Sequence, residues 1–157
     1  MTFSKILVPY DGSKYAEKAI NKAVSLAKMI KGSEIIMLNI MEEIPVPPAL
    51  FSTRVRHHKT GEGTTLSTYF RDLQTDMRHK MMGTLEEIKL KYKNSVRIRT
   101  AVLVGRAEHK IVEFANKQNV DLIVMGSRGL KGISRFVMRS VSRSVSERAK
   151  CTVMIVK

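Results

Sequence analysis

"DLIVMGSRGLKG", Asp121–Gly132, is a short apolar run that breaks off into glycine, serine and basic residues. Four consecutive apolar side chains before a glycine describe a strand covered on both faces, too short to be a helix of ordinary length. Gly126 and Gly129 lack a Cβ, so the backbone can turn sharply and its N–H groups can converge on an anion. Ser140, at or near the start of the next helical segment, adds a hydroxyl where a helix dipole favours negative charge. The same two glycines also suffice simply to turn the chain from strand to helix, and spacing alone leaves both readings open. Neither G-x-x-x-x-G-K-[ST] nor G-x-G-x-x-G occurs in the chain.

Outward from this stretch the chain repeats one pattern. Four further apolar runs are "KILVPY" (Lys5–Tyr10), "EIIMLNIM" (Glu34–Met41), "VRIRTAVLV" (Val96–Val104) and "CTVMIVK" (Cys151–Lys157). Between them lie helical periods. Ala16, Ala19, Ile20, Ala23, Ala27 and Ile30 share a face, with Ser13 as N-cap and Gly32 as stop. Leu66, Tyr69, Phe70, Leu73, Met77, Met81, Leu85, Ile88 and Tyr92 form a longer stripe, whose methionines read as core packing. Ile111, Phe114 and Ala115 mark a third helix, and Val137, Val141, Val145 and Ala149 a fourth. Strands alternating with helices imply parallel pairing through right-handed crossovers, hence one doubly wound α/β domain over residues 1–157. Arg97 and Arg99 suit the third run to an edge. The stretch Glu42–Thr64, with its prolines and basic residues, reads as a long irregular loop.

In such a sheet, ligands bind beyond the carboxyl ends of strands whose crossovers go to opposite sides. "PYDGS" (Pro9–Ser13) follows the first strand and "GSRGLKG" the fourth. Asp11 could accept hydrogen bonds from ribose hydroxyls, help hold a metal ion beside phosphates, or cap the first helix.

Composition narrows the function classes. The formal charge of +14 favours polyanions, but the cations are spread along the chain with no aromatic RNA-binding motif beside them. That argues for solvated faces and against specific nucleic-acid recognition. No apolar run approaches the roughly 20 residues of a membrane span. The opening "MTFSKILVPYDGS" has the form of a first strand rather than of a signal peptide. One cysteine, Cys151, excludes an internal disulfide, fits a reducing cytoplasm, and reads as a small apolar residue. His57, His58, His79 and His109 lack metal-site spacing and read as solvated. Ser140, Ser142, Ser144 and Ser146 have no G-x-S-x-G context, and Glu108 and Glu113 look like helix-surface residues. Without a convincing general base, any hydrolysis by the chain would be slow or assisted by a partner.

From "KILVPYDGS" through "VLVGRAEHKIVEFANKQNVDLIVMGSRGLKGISRFVMRSVSRSVSERAKCTVMIVK", the chain resembles the universal stress proteins over nearly its whole length. The resemblance implies an adenine nucleotide alpha hydrolase-like fold, with five parallel strands in the order 3-2-1-4-5 and a homodimer formed through the last strand. It implies a cytoplasmic stress-response sensor or regulator; some family members bind ATP or a related adenine nucleotide such as AMP, possibly with Mg2+, and others bind none. The family's pattern G-x2-G-x9-G-[ST] is met by Gly126, Gly129 and Ser140, but Arg139 stands at the third glycine. Carried over position by position, Asp11 faces the nucleoside with Pro9 beside it, and the backbone of Ile40 meets the adenine. Gly126, Ser127, Arg128 and Gly129 wrap the phosphates, with Ser140 and Val141 adding contacts. Arg139 closes the site, pairs with a phosphate, or belongs to an exposed basic stripe with Arg135 and Arg143, which step by four. If it closes the site, the implied function is a nucleotide-free module whose basic surface binds proteins or other polyanions.

Overall fold

The computed structural model describes residues 3–129 and 138–157, the last stretch by backbone alone at 138–140. The elements are β1 (Lys5–Pro9), α1 (Lys14–Met29), β2 (Glu34–Met41), β3 (Arg54–Arg56), β4 (Gly63–Thr65), α2 (Leu66–Lys91), β5 (Arg97–Val104), α3 (Ala107–Lys117), β6 (Leu122–Gly126), α4 (Met138–Arg148) and β7 (Thr152–Val156). Five strands form a parallel sheet in the order β5-β2-β1-β6-β7. This is the expected 3-2-1-4-5 order of the apolar runs.

The apolar runs dictate the layering. β1, β2 and β6 are buried almost throughout, so each must be covered on both faces. Alternate side chains divide them between two cores. Ile6, Val8, Ile35, Met37 and Val124 pack with α1 and with Leu85 of α2, while Leu7, Ile36, Leu38 and Ile123 pack with α3 and Val145 of α4. β5 and β7 lie at the edges, and Arg97 and Arg99 are exposed as their edge position requires. Ser13 caps α1 by accepting the Ala16 amide at 3.1 Å, and Gly32, at φ +84°, takes the left-handed turn after the helix.

A carboxylate fixes β1 against β6 at their amino ends. Asp121 Oδ2 accepts the amides of Ser4 (2.9 Å) and Lys5 (2.8 Å), and the Asp121 amide donates to the Lys5 carbonyl at 3.0 Å.

Three sequence expectations need correction. Glu42–Thr64 is not irregular throughout. It contains a 3-10 turn at Pro48–Leu50 and an antiparallel ribbon, β3–β4, with Val55 opposite Thr64. His57 and His58 are not simply solvated. Their rings stack at 4.9 Å, both meet Tyr69 edge-on, and His57 Nε2 lies 3.4 Å from Asp72 of α2. The long stripe of α2 is not a core stripe along its whole length, because only Leu85 in that helix is buried. The expected positions Gly132, Arg135 and Val137 lie outside the described residues.

Replacing Asp121 with alanine removes the acceptor of two backbone amides, one of them part-buried. Asp121→Ala is expected to lower stability by about 1–3 kcal/mol, read as a lower urea midpoint with an unchanged m-value.

Candidate functional site at the carboxyl edge of the sheet

β1 and β6 are paired at only two positions, Ile6↔Leu122 and Leu7↔Ile123. Beyond them the chain turns into α1 on one face, while after β6 it leads towards α4 on the other. In an open sheet such a switch point is where a crevice forms, here between the two loops. Helices that run antiparallel to the strands bring their amino ends to this edge, so their dipoles favour an anion there.

The Pro9–Ser13 loop is held from three sides. The Tyr10 amide donates to the Leu38 carbonyl at 2.8 Å. Buried Asn39, on β2, donates from Nδ2 to the Tyr10 carbonyl at 2.8 Å. Asp11 Oδ1 accepts the Ser13 amide at 3.0 Å, closing a tight turn in which Gly12 has φ +84°. Part of the Asp11 carboxylate thus shapes the turn that starts α1, as its capping reading supposed. Burial pushes the Tyr10 phenol above its ordinary range, and the Glu17 and Asp11 carboxylates add to that shift.

The glycine loop is bound to its neighbours in the same way. Gly126 ends β6 directly against α1. A Cβ there would lie 2.7 Å from Tyr15 Cβ and 2.8 Å from the Tyr15 carbonyl carbon. Its lack of a side chain is therefore required by helix packing, before any ligand is considered. The Ser127 amide donates to the Val156 carbonyl at 2.8 Å, so it already serves the sheet. The Arg128 guanidinium stands 5.7 Å from the Tyr15 ring centroid, with Lys18 Nζ 5.5 Å from the same ring. The Arg128 carbonyl accepts the Ser13 hydroxyl at 3.4 Å, which ties the two loops together.

Of the residues the sequence singled out, Pro9, Asp11, Gly126, Ser127, Arg128 and Gly129 are gathered at this edge, with Ile40 at the end of β2. The side chains of Ile40 and Val141 pack against the α3/α4 core, leaving their backbones as the groups to offer. Arg139 and Ser140 belong to α4, so their backbone is helical; their side chains lie outside the described residues. Asn39, Ser13 as the link between the loops, and Tyr15 were missed as site residues. The signal for Asn39 was a single polar side chain inside the apolar run "EIIMLNIM". Cys151 is half-buried, and burial raises its thiol above the ordinary range, which suits a packing residue better than a nucleophile.

Two cavities lie apart from the crevice. One of about 240 Å³ lies between α1 and the end of α2, lined by Tyr10, Glu17, Asn21 and Tyr92 among others. The other, about 370 Å³ and open, runs between α1 and β7 past Lys18, Lys22 and Lys157. Among the described residues no group of three or more His, Cys, Asp or Glu side chains could hold a metal ion, and no helix is long and apolar enough to cross a membrane.

Comparison with known proteins agrees with this fold. A sequence model described as the universal stress protein family matches residues 2–157. Universal stress protein YxiE of Bacillus subtilis is 31% identical over 156 residues, covering 99% of each chain. Universal stress protein MJ0577 of Methanocaldococcus jannaschii is 27% identical over 157 residues, covering 99% of this chain and 95% of its own. Among solved structures, UspA from Lactobacillus plantarum shares the fold with a TM-score of 0.81 at 20% identity, covering 100% of this chain and 99% of that one. A universal stress protein in complex with cAMP has a TM-score of 0.65 at 19% identity, with coverage of 100% and 99%. A family protein from Arabidopsis thaliana with AMP bound has a TM-score of 0.60 at 16% identity, with coverage of 98% and 91%.

The Gly126 contact yields a direct test. Gly126→Ala forces a methyl group into the backbone of Tyr15 and is expected to destabilise the fold by about 1–3 kcal/mol. Thermal denaturation without any nucleotide reads it; an unchanged midpoint would return Gly126 to a ligand-only role.

Proposed function

The chain belongs to the universal stress protein family, and we propose that it binds an adenine nucleotide at the carboxyl edge of the sheet and acts as a stress-response sensor or regulator. One observation carries the reading: where β1 and β6 part after two paired positions, the Asp11 turn and the glycine loop are fastened to each other by Ser13 and Arg128. The ligand-bound relatives, one with cAMP and one with AMP, support the adenine class.

In this reading the nucleoside lies against Pro9 and Asp11, and the adenine meets the backbone of Ile40. The phosphates face Gly126–Gly129 and the first turn of α4. The Ser127 amide is already engaged, so the hydroxyl of Ser127 and the amide of Gly129 are its donors there. Helical backbone at Arg139 removes the left-handed strain that a glycine would relieve. The amide of Arg139 and its guanidinium, a bidentate partner for phosphate, are the groups that residue would offer. Mg2+, where it accompanies ATP, is held chiefly by the phosphates, with Asp11 beside them. A cytoplasmic location completes the reading, supported by the single cysteine.

The open edge of β7 supports a homodimer. Ile155 is 41% exposed there, beside the half-buried Val153, Met154 and Val156, and an unpaired apolar edge invites a second strand. One observation favours a second reading, the nucleotide-free interaction module: the space at Gly126 is claimed by Tyr15 and not by a ligand.

Calorimetric titration with Mg-ATP, AMP and cAMP, on protein first stripped of bound nucleotide, separates the two readings. Binding is expected, with Asp11→Ala weakening it about tenfold or more, near 1.4 kcal/mol. A native chain that binds none of the three, alongside an Arg139→Gly variant that does, would establish the module instead. For the dimer, sedimentation equilibrium is expected to give two chains, and Ile155→Lys one.

A further inference from the structure

We propose that the overhanging half of α2, together with the β3–β4 ribbon, is a docking face for an acidic amphipathic helix of a partner protein. The inference is independent of the nucleotide reading.

At 1.5 Å per residue the 26 residues of α2 extend about 39 Å, whereas the 8 residues of β5 beside it span about 26 Å. The sheet therefore covers one end of the helix only. Leu85 is buried there, with Met81, Met82, Ile88 and Tyr92 packed around it. The ribbon covers the other end. The Leu66 amide donates to the Thr53 carbonyl, Tyr69 meets the rings of His57 and His58, and Lys59 reaches Asp76 at 2.5 Å.

Between the two covered ends the apolar stripe continues through half-buried Phe70 and Leu73 to an exposed Met77. Met77 follows Phe70 by seven residues and Leu73 by four, and precedes Met81 by four, so it lies on their face. It is nevertheless 49% exposed. Leu50 and Phe51, each 44% exposed, stand at the amino end of the same helix. Half of the large exposed apolar side chains among the described residues are thus in this one region.

Charge decides what fits it. Arg71 and Arg78, seven residues apart, flank the stripe on one side, Lys80 lies on the other, and Arg54 and Arg56 are exposed on the ribbon. Among the described residues none of these five cations has a carboxylate within ion-pair distance. The two carboxylates on this part of α2 are engaged already, Asp72 with His57 and Asp76 with Lys59 and His58. A second copy would set like charges against each other. An occupant must instead bring apolar side chains for the stripe and carboxylates for its flanks. A stripe at helical spacing, bounded at both ends, is met by the ridge of another helix.

The test uses the full chain and a fluorescent peptide of about 20 residues, with leucines at i, i+3, i+4 and i+7 and glutamates on both flanks. Controls are a scrambled peptide of the same composition and vesicles containing phosphatidylserine. Anisotropy is expected to show micromolar binding of the amphipathic peptide, about tenfold tighter than the scramble. Met77→Asp is expected to lower the affinity about tenfold, and Arg71→Glu with Arg78→Glu by at least as much. Met77→Gln serves as a second variant, and far-UV circular dichroism and thermal denaturation check that each variant keeps the fold. Four results would each overturn the proposal: equal binding of the scramble, affinity unmoved by both Met77 variants, preference for vesicles over peptide, or self-association that Met77→Asp abolishes.

Discussion

Everything at the carboxyl edge follows from the brief pairing of β1 with β6. The two strands sit side by side at the centre of the sheet, yet they share register at only two positions. β1 pairs with β2 at five positions and β6 with β7 at five, so the sheet is continuous on either side of a short seam. Asp121 closes the seam at its amino end, and Ser13 with Arg128 bridges it at the other. The chain must leave this seam towards opposite faces, because β1 and β6 are both apolar on both sides and each layer needs its own helices. The crevice is the geometric remainder of that division.

How much of this could be read beforehand depended on whether the signal was local. Strand runs and helical periods are local, and Lys5–Pro9, Glu34–Met41 and Leu66–Lys91 fall where the pattern put them. The ribbon was not legible. Each of its strands has three residues, too few for alternation to register, and its place is fixed by Tyr69, Asp72 and Asp76 on a helix further along the chain. The methionine stripe misled for a related reason. Periodicity declares which face of a helix is apolar but not how much sheet there is to cover it.

The site was legible as a place and less so as a set of roles. Asp11 and Gly126 each carried two readings; for Asp11 the structural one is at work, while Gly126 has a packing duty that neither of its readings named. Asp11 holds the Ser13 amide, and Gly126 makes room for Tyr15. Each duty fixes the loop to which its residue belongs. Asn39 shows the converse. It faces away from the crevice into the α1/α2 layer, yet it anchors the carbonyl just before Asp11.

The two edges of the sheet are unlike. On β5, Arg97 and Arg99 stand exposed, both within ion-pair reach of Glu34 on the neighbouring strand. β7 has no comparable guard and leaves Ile155 open. Had both edges been bare, β7 of one molecule could have added to β5 of the next, and that head-to-tail contact has no reason to stop. With one edge guarded, addition would be confined to β7, and the proposed pairing of β7 with its copy about a two-fold axis would close on itself. In the proposed dimer, two arginines on a far strand would thereby bear on how many chains can join, by discouraging addition at the other edge.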